Sequence, residues 1–168
     1  MNKPTLHLLM GLPGSGKTTL SKMIQDITGA KRVSSDESRL EIFDNPCFSQ
    51  KEHDELYALL DHNVKHLLED GQDVIYDANL NRRHHREEKY TLADKYDAKV
   101  VLWLLSTPGE LSKKRRLSEH NHNLIPDGET PENMFDRIQN VFEPPGDDET
   151  HVNIDGSDID IATVRSNL

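Results

Sequence analysis

The sequence predicts an α/β fold in which a five-stranded parallel sheet is sandwiched by helices, and three observations carry that expectation. Apolar runs of strand length alternate with segments of helical period, the pattern of successive βα units. The first run passes directly into Gly11-Leu12-Pro13-Gly14-Ser15-Gly16-Lys17-Thr18, a complete G-x-x-x-x-G-K-[ST] phosphate loop where a buried strand gives way to a helix. The length of 168 residues gives room for one such sheet and its helices, so 1–168 is expected to form one P-loop NTPase domain.

The elements follow in order. Thr5 to Met10 is mostly apolar, as a strand covered on both faces requires. Lys17 to Thr28 places Leu20, Met23, Ile24 and Ile27 at helical spacing, with Gly29 as its cap. Arg32 to Ser35 reads as a short edge strand that leads at Asp36 into an active-site loop. Between Gln50 and Asp70, Leu56, Leu59, Leu60, Val64, Leu67 and Leu68 form one helix face, closed by Gly71. Val74 to Asp77 is the third strand, 82–96 a charged helix, and Ala98 to Ser106 a central strand containing Trp103. Thr107-Pro108 opens a further helix with Pro at its first position. The polar, turn-rich stretch after Glu119 belongs to a helical lid expected at about 116–130. Pro131 to Phe142 is a helix stopped by Pro144-Pro145, and His151 to Asp155 the last strand.

Composition narrows the function classes. A net charge of −10 argues against broad affinity for duplex nucleic acid, which rests on many Lys and Arg releasing counterions. Positive charge concentrates in Arg82-Arg83-His84-His85-Arg86, read as an exposed helix start, and in Lys113-Lys114-Arg115-Arg116; Gly146-Asp147-Asp148-Glu149 is acidic. No run reaches the ~20 apolar residues of a membrane span, and the first residues show no signal-peptide core, so a cytoplasmic location without membrane contact is expected. The single cysteine, Cys47, has no disulfide partner in the chain. His62 and His66 lie one helical turn apart, but no carboxylate or cysteine completes a zinc pattern around them. Tyr57, Tyr76, Trp103 and Phe135 read as core.

The phosphate loop points to a nucleoside triphosphate. Its glycines let backbone N–H groups turn inward as an anion nest, reinforced by the following helix N-terminus, so Gly11 to Thr19 is the candidate nucleotide-binding segment. Lys17 is placed to reach the β- and γ-phosphates and Thr18 to ligate Mg²⁺. Asp36 lies just past the second strand and Asp77 ends the third, at the strand ends where open parallel sheets bind ligands. A carboxylate there can take the proton of an attacking hydroxyl, and Arg39 can neutralise charge on the transferring phosphoryl or the acceptor. Asp36 can alternatively cap a helix. Asp77 can alternatively organise Mg²⁺.

Gly-x-Pro-Gly-Ser-Gly-Lys-Thr, Ser-Ser-Asp-x-x-Arg and Asp-Ala-Asn-Leu-Asn together resemble the 5′-kinase domain of phage-type polynucleotide kinases and the small P-loop kinases around them, from about Thr5 to Phe142. The resemblance implies ATP as donor and Asp36 as general base for a polynucleotide 5′-hydroxyl. It further implies Arg39 on a phosphate near the acceptor, and Asp77 and Asn79 on the acceptor side. The family's Asp-Thr-Asn is here Asp-Ala-Asn, which removes one hydroxyl. The family's lid arginine aligns with His120, so the clamp on the transferring phosphoryl is assigned to Arg116, with Arg115 as the alternative and His120 as a helper. Two other readings stand beside this one: a kinase for a sugar, nucleoside or antibiotic hydroxyl, and a regulatory nucleotide-binding protein without a second substrate.

Overall fold

A computed structural model describes residues 3–119 and 124–168. In chain order it contains β1 (Thr5–Met10), α1 (Lys17–Thr28), β2 (Lys31–Ser34), α2 (Ser35–Ile42), α3 (Gln50–Glu69), β3 (Val74–Asp77), α4 (Arg83–Lys95), β4 (Lys99–Leu105), α5 (Gly109–Ser118), α6 (Pro131–Asn140), β5 (His151–Ile154) and α7 (Ile161–Ser166). The strands pair in parallel in the order β2-β3-β1-β4-β5, the expected P-loop α/β sheet.

Strand β1 is covered on both faces. Leu6, Leu8 and Met10 join Leu56, Leu60, Val64 and Leu68 of α3, whereas Leu9, with Ile75 and Trp103, packs on Leu20 and Ile24 of α1 and Val164 of α7. That double burial is why the strand reads as a continuous apolar run rather than an alternation. His7 interrupts the run and is buried too. Burial lowers its imidazole pKa to about 4, so the ring stays neutral and its Nδ1 accepts the Trp103 indole N–H at 3.2 Å. After β1 the chain winds first to β2 and β3 on one side and later to β4 and β5 on the other, which opens a crevice at the carboxyl end of β1.

Several boundaries differ from the expectations. The edge strand β2 runs straight into helix α2 rather than a loop, because the Ser34 hydroxyl caps the helix by accepting the Glu37 N–H. Asp36 therefore lies in the first helical turn and is not the cap. Pro108 is the N-cap of α5 rather than its first residue, and α6 stops at Asn140, short of Phe142. Helix α7 was not foreseen: its six residues bury Val164 alone, too little to register as a period, and the Asp160 carboxylate caps it on the N–H groups of Ala162 and Thr163. Of the expected lid, Arg116 to Ser118 end α5 and 124–130 run through turns into α6. His120 and His122 lie outside the described residues. A helix does start at Arg82 to Arg86, with Arg82 and His84 exposed, but Arg86 departs from the expected exposure, being fully buried against Glu149. No helix among the described residues is long and apolar enough to cross a membrane.

Candidate active site

The phosphate loop is held from three sides. Within it, the Ser15 N–H bonds the Leu12 carbonyl at 3.0 Å. Gly14 has φ +79°, and a Cβ there would lie 2.2 Å from the Ser112 carbonyl oxygen, so conformation and space both demand glycine. From the loop after β3, the buried Asn81 amide reads both backbone groups of Gly11: its Oδ1 accepts the Gly11 N–H and its Nδ2 donates to the Gly11 carbonyl, each at 3.0 Å. From the far side, the Thr107 hydroxyl donates to the Ser15 carbonyl at 2.7 Å.

Lys17 Nζ donates to the Gly11 and Leu12 carbonyls at 2.8 and 3.0 Å. Burial lowers its pKa to about 8, against the opposing pull of Asp77, Asp36 and Glu119. A bound polyphosphate adds negative charge beside the ammonium and holds it protonated, so above pH 8 binding must take up a proton. ATP affinity is therefore expected to be flat below about pH 8 and to weaken by up to about tenfold per pH unit above it. Titrations at pH 7, 8 and 9 check this, and Lys17→Arg, which stays charged, should abolish the slope.

Both predicted acids reach the crevice. A cavity of about 710 Å³ is lined by the phosphate loop, Asp36, Asp77, Asn79 and Arg116 among others. Asp36 remains open to solvent but is crowded by protein; desolvation and the charge of Asp77 push its carboxyl pKa up, while Lys17, Arg116 and Arg39 oppose them. Asp77 is anchored by Arg32, whose Nε donates to Oδ2 at 2.9 Å and whose Nη1 also bonds Glu37. Ala78, where the resembled motif has Thr, lies buried on the wall of the same cavity.

A second cavity, of about 720 Å³, adjoins the first and shares Ser35, Asp36 and Asn79 with it. Arg39 lines this second space, not the first, and is not open-handed: Nη1 bonds the buried Glu52 carboxylate and the guanidinium lies 4.6 Å over the Phe48 ring. Arg116 faces the nucleotide cavity with its Nη1 on Glu119. Arg115 is committed elsewhere, donating to the Gly156 and Ser157 carbonyls at 2.6 and 3.3 Å.

That Arg115 staple presses the β5–α7 loop onto the phosphate loop. A Cβ on Gly156 would sit 2.0 Å from both the Ser15 carbonyl oxygen and the Thr107 hydroxyl, and the Ser15 carbonyl cannot yield without moving backbone. Gly156→Ala is accordingly expected to weaken ATP binding by about tenfold or more and to destabilise the fold by ~1–3 kcal/mol. Nucleotide titration and thermal unfolding of the variant check both.

Sequence reasoning missed Arg32, Asn81 and Glu52. Asn81 stood inside the quoted Asp-Ala-Asn-Leu-Asn, yet a buried amide bridging two loops has no local signature. Arg32 had one faint signal, a charge within a short strand.

A parallel sheet of order 2-3-1-4-5 with a glycine cradle, an inward lysine, one acid at the end of β3 and another in the helical turn just past β2 defines a P-loop nucleotide-binding domain. Residues 6–145 match the family model AAA_33, described as an AAA domain, and the chain belongs to that family. Among curated proteins, the 2′,3′-cyclic-nucleotide 3′-phosphodiesterase of Pongo abelii is 33% identical over 102 residues, 58% of this chain and 23% of the relative. The chain thus spans about a quarter of that protein's length in the match. A structure from Chloroflexus aurantiacus described as a kinase superposes with a TM-score of 0.80 at 22% identity, covering 99% of this chain and 100% of the other. A chain of the Pnkp1/Rnl/Hen1 RNA repair complex gives a TM-score of 0.66 at 24% identity, covering 94% of this chain and 54% of that one. These two likenesses are of fold.

Proposed function

We propose that this domain transfers the γ-phosphoryl group of ATP to a hydroxyl acceptor, with Asp36 as the general base. The observation that carries the reading is the position of Asp36 on the wall shared by the phosphate-loop cavity and the adjoining one, with Lys17, Arg116 and Arg39 close enough to act on its charge. In this reading the nucleotide lies in the first cavity and the acceptor in the second. Asp36 accepts the hydroxyl proton as the oxygen attacks, the Gly11 to Thr19 cradle and Lys17 hold the phosphates, and Arg116 offsets charge gathering on the transferring group. Asn79 orients the acceptor from the shared wall, the segment at about 116–130 closes as a lid, and 1–168 works as one cytoplasmic domain.

The residues also fit Mg²⁺. Thr18 and Asp77 bring hard oxygen donors to the nucleotide cavity, and the Arg32 contact occupies only Oδ2 of Asp77, which suits a cation held mostly by phosphate and water. Bound there, it would neutralise phosphate charge.

The polynucleotide 5′-hydroxyl implied by the motifs is supported by the fold likeness to the RNA repair chain. A small-molecule acceptor, a sugar, nucleoside or antibiotic hydroxyl, is favoured by the net charge of −10 and by the pairing of Arg39 with Glu52. Incubation with labelled ATP, Mg²⁺ and parallel sets of 5′-hydroxyl oligonucleotides and metabolites tests the proposal. Label on either set supports transfer and names the acceptor class. ATP hydrolysis without label on any acceptor overturns it in favour of a regulatory nucleotide-binding protein.

A further inference from the structure

The adjoining cavity is built to be electrically unattractive to phosphate. Two guanidinium groups line it, and each already meets a carboxylate: Arg39 bonds Glu52, and Arg137 forms a two-pronged pair with Glu129 at 2.8 and 2.9 Å. Asp36 and Asp127 also line it, and the ion pairs among the described residues include neither. His53 adds no positive charge at neutral pH, because burial and the nearby Arg39 lower its pKa. The described walls therefore carry net negative charge. The remaining surface carries aromatic and amide groups, Phe48, the stacked pair His53 and Tyr57 at 4.3 Å, Asn79 and Asn133, beside aliphatic side chains from 124–138.

The pairing of Arg39 is not incidental. Glu52 is buried at the start of α3, where its Oε2 accepts the backbone N–H groups of Cys47 and Phe48 at 2.7 and 3.3 Å while Oε1 meets Arg39. Those hydrogen bonds hold its carboxyl below the usual range although burial opposes its charge. A phosphate drawing Arg39 away would leave a carboxylate buried without its cation, which is the costly way to break such a pair. A phosphate approaching the intact pair meets a guanidinium whose charge is already matched.

We infer that Glu52 sets acceptor specificity by neutralising Arg39, so that the cavity takes an uncharged polyhydroxy compound of sugar or nucleoside size and turns away acceptors that carry phosphate. This rests on the reading of the second cavity as the acceptor site. Glu52 acts through Arg39 and touches no reacting atom, so it is a positioning residue. Aromatic faces and amides suit ring hydroxyls and C–H surfaces, and the volume suits a compact ligand.

The test uses the full chain with AMPPNP and Mg²⁺ filling the phosphate loop, so that added phosphate cannot bind there. A ribonucleoside and its 3′-monophosphate are titrated while the Phe48 and His53 resonances are followed by NMR. The wild-type protein is expected to bind the monophosphate no more tightly than the nucleoside, with little dependence on salt. Glu52→Gln, which keeps one acceptor for the loop N–H groups, should gain about tenfold or more for the monophosphate, and Glu52→Asp should keep the wild-type preference. A wild-type preference for the monophosphate that fades steeply with salt would overturn the inference, as would a folded Glu52→Gln protein with no gain. The wild-type comparison needs no variant, so a misfolded Gln variant leaves the inference exposed to refutation. Binding is read without turnover, so a failure here is separate from a failure of phosphoryl transfer, which the labelled-ATP experiment reports.

Discussion

Asp36→Asn is expected to lower phosphoryl transfer by about 10³-fold, roughly 4 kcal/mol of transition-state stabilisation, while ATP affinity stays within about threefold. The substitution keeps shape and removes only the ability to take a proton. The carboxylate lies in the first turn of α2, capped by Ser34 and not itself a cap, and Glu37 stays in the same turn, so the helix keeps its cap and one first-turn acid in the variant. Its surroundings push the pKa up through desolvation and Asp77, which brings a carboxylate closer to the strength a base needs near neutrality. Transfer should therefore fall as pH drops through that raised pKa, where Asp36 gains its proton, and the acid limb should vanish in the variant. Steady-state kinetics against acceptor, with ATP affinity measured separately, decide the matter. Full transfer by the Asn variant would end the general-base assignment, and unchanged ATP turnover without acceptor would favour a nucleotide-binding role instead.

What the sequence disclosed and what it withheld divide along the distance between interacting residues. The phosphate loop is legible because its chemistry is local: glycines, lysine and threonine act within eight consecutive positions, and the flanking strand and helix carry their own periods. Asp77 is legible because a parallel sheet gathers strand ends, so a terminal carboxylate can be placed before any contact is known. Arg39 was found but its circumstances were not, since Glu52 stands 13 positions on and only the packing of α2 on α3 turns two ordinary charges into a pair. Within the basic cluster at the start of α4, Arg83 and Arg86 misled for the same reason. A cluster of basic residues at a helix start usually faces water, and nothing near it in sequence announces Asp148 and Glu149, more than 60 positions away. The two clusters that looked like separate surface features, one basic and one acidic, are halves of one contact.

That contact makes Arg86→Ala the substitution with the largest expected cost to stability, about 3–5 kcal/mol. Arg86 is fully buried in α4; its Nε and Nη2 bond the two Glu149 oxygens at 2.7 and 2.9 Å, and its Nη1 donates to the Leu80 and Glu143 carbonyls at 3.0 and 3.1 Å. Glu149 is filled further by the Tyr90 hydroxyl at 2.7 Å and the Gly146 N–H at 3.0 Å. The alanine leaves a buried carboxylate without its cation, which is why the loss exceeds that of a surface pair. For a chain of this length it should appear as a fall in Tm of roughly 6–20 °C. Acid sensitivity supplies a second readout. The Arg86 hydrogen bonds, with those of Tyr90 and Gly146, lower the Glu149 pKa to about 2 from an ordinary 4.5, so the wild-type protein enjoys their full benefit above pH 4.5 and loses ~3 kcal/mol as pH falls towards 2. The variant should lose most of that slope, and urea unfolding at pH 7 and pH 3 measures it. Arg86→Met combined with Glu149→Leu should recover most of the stability at pH 7, because removing both charges leaves neither stranded. The active site shares in this contact: Leu80 precedes Asn81, the Glu143 N–H holds the Asn81 carbonyl at 2.8 Å, and the Asn81 amide grips Gly11. Loss of Arg86 should therefore weaken ATP binding too, about 70 positions from the phosphate loop in sequence, and a variant that unfolds earlier yet binds ATP as before would break that link.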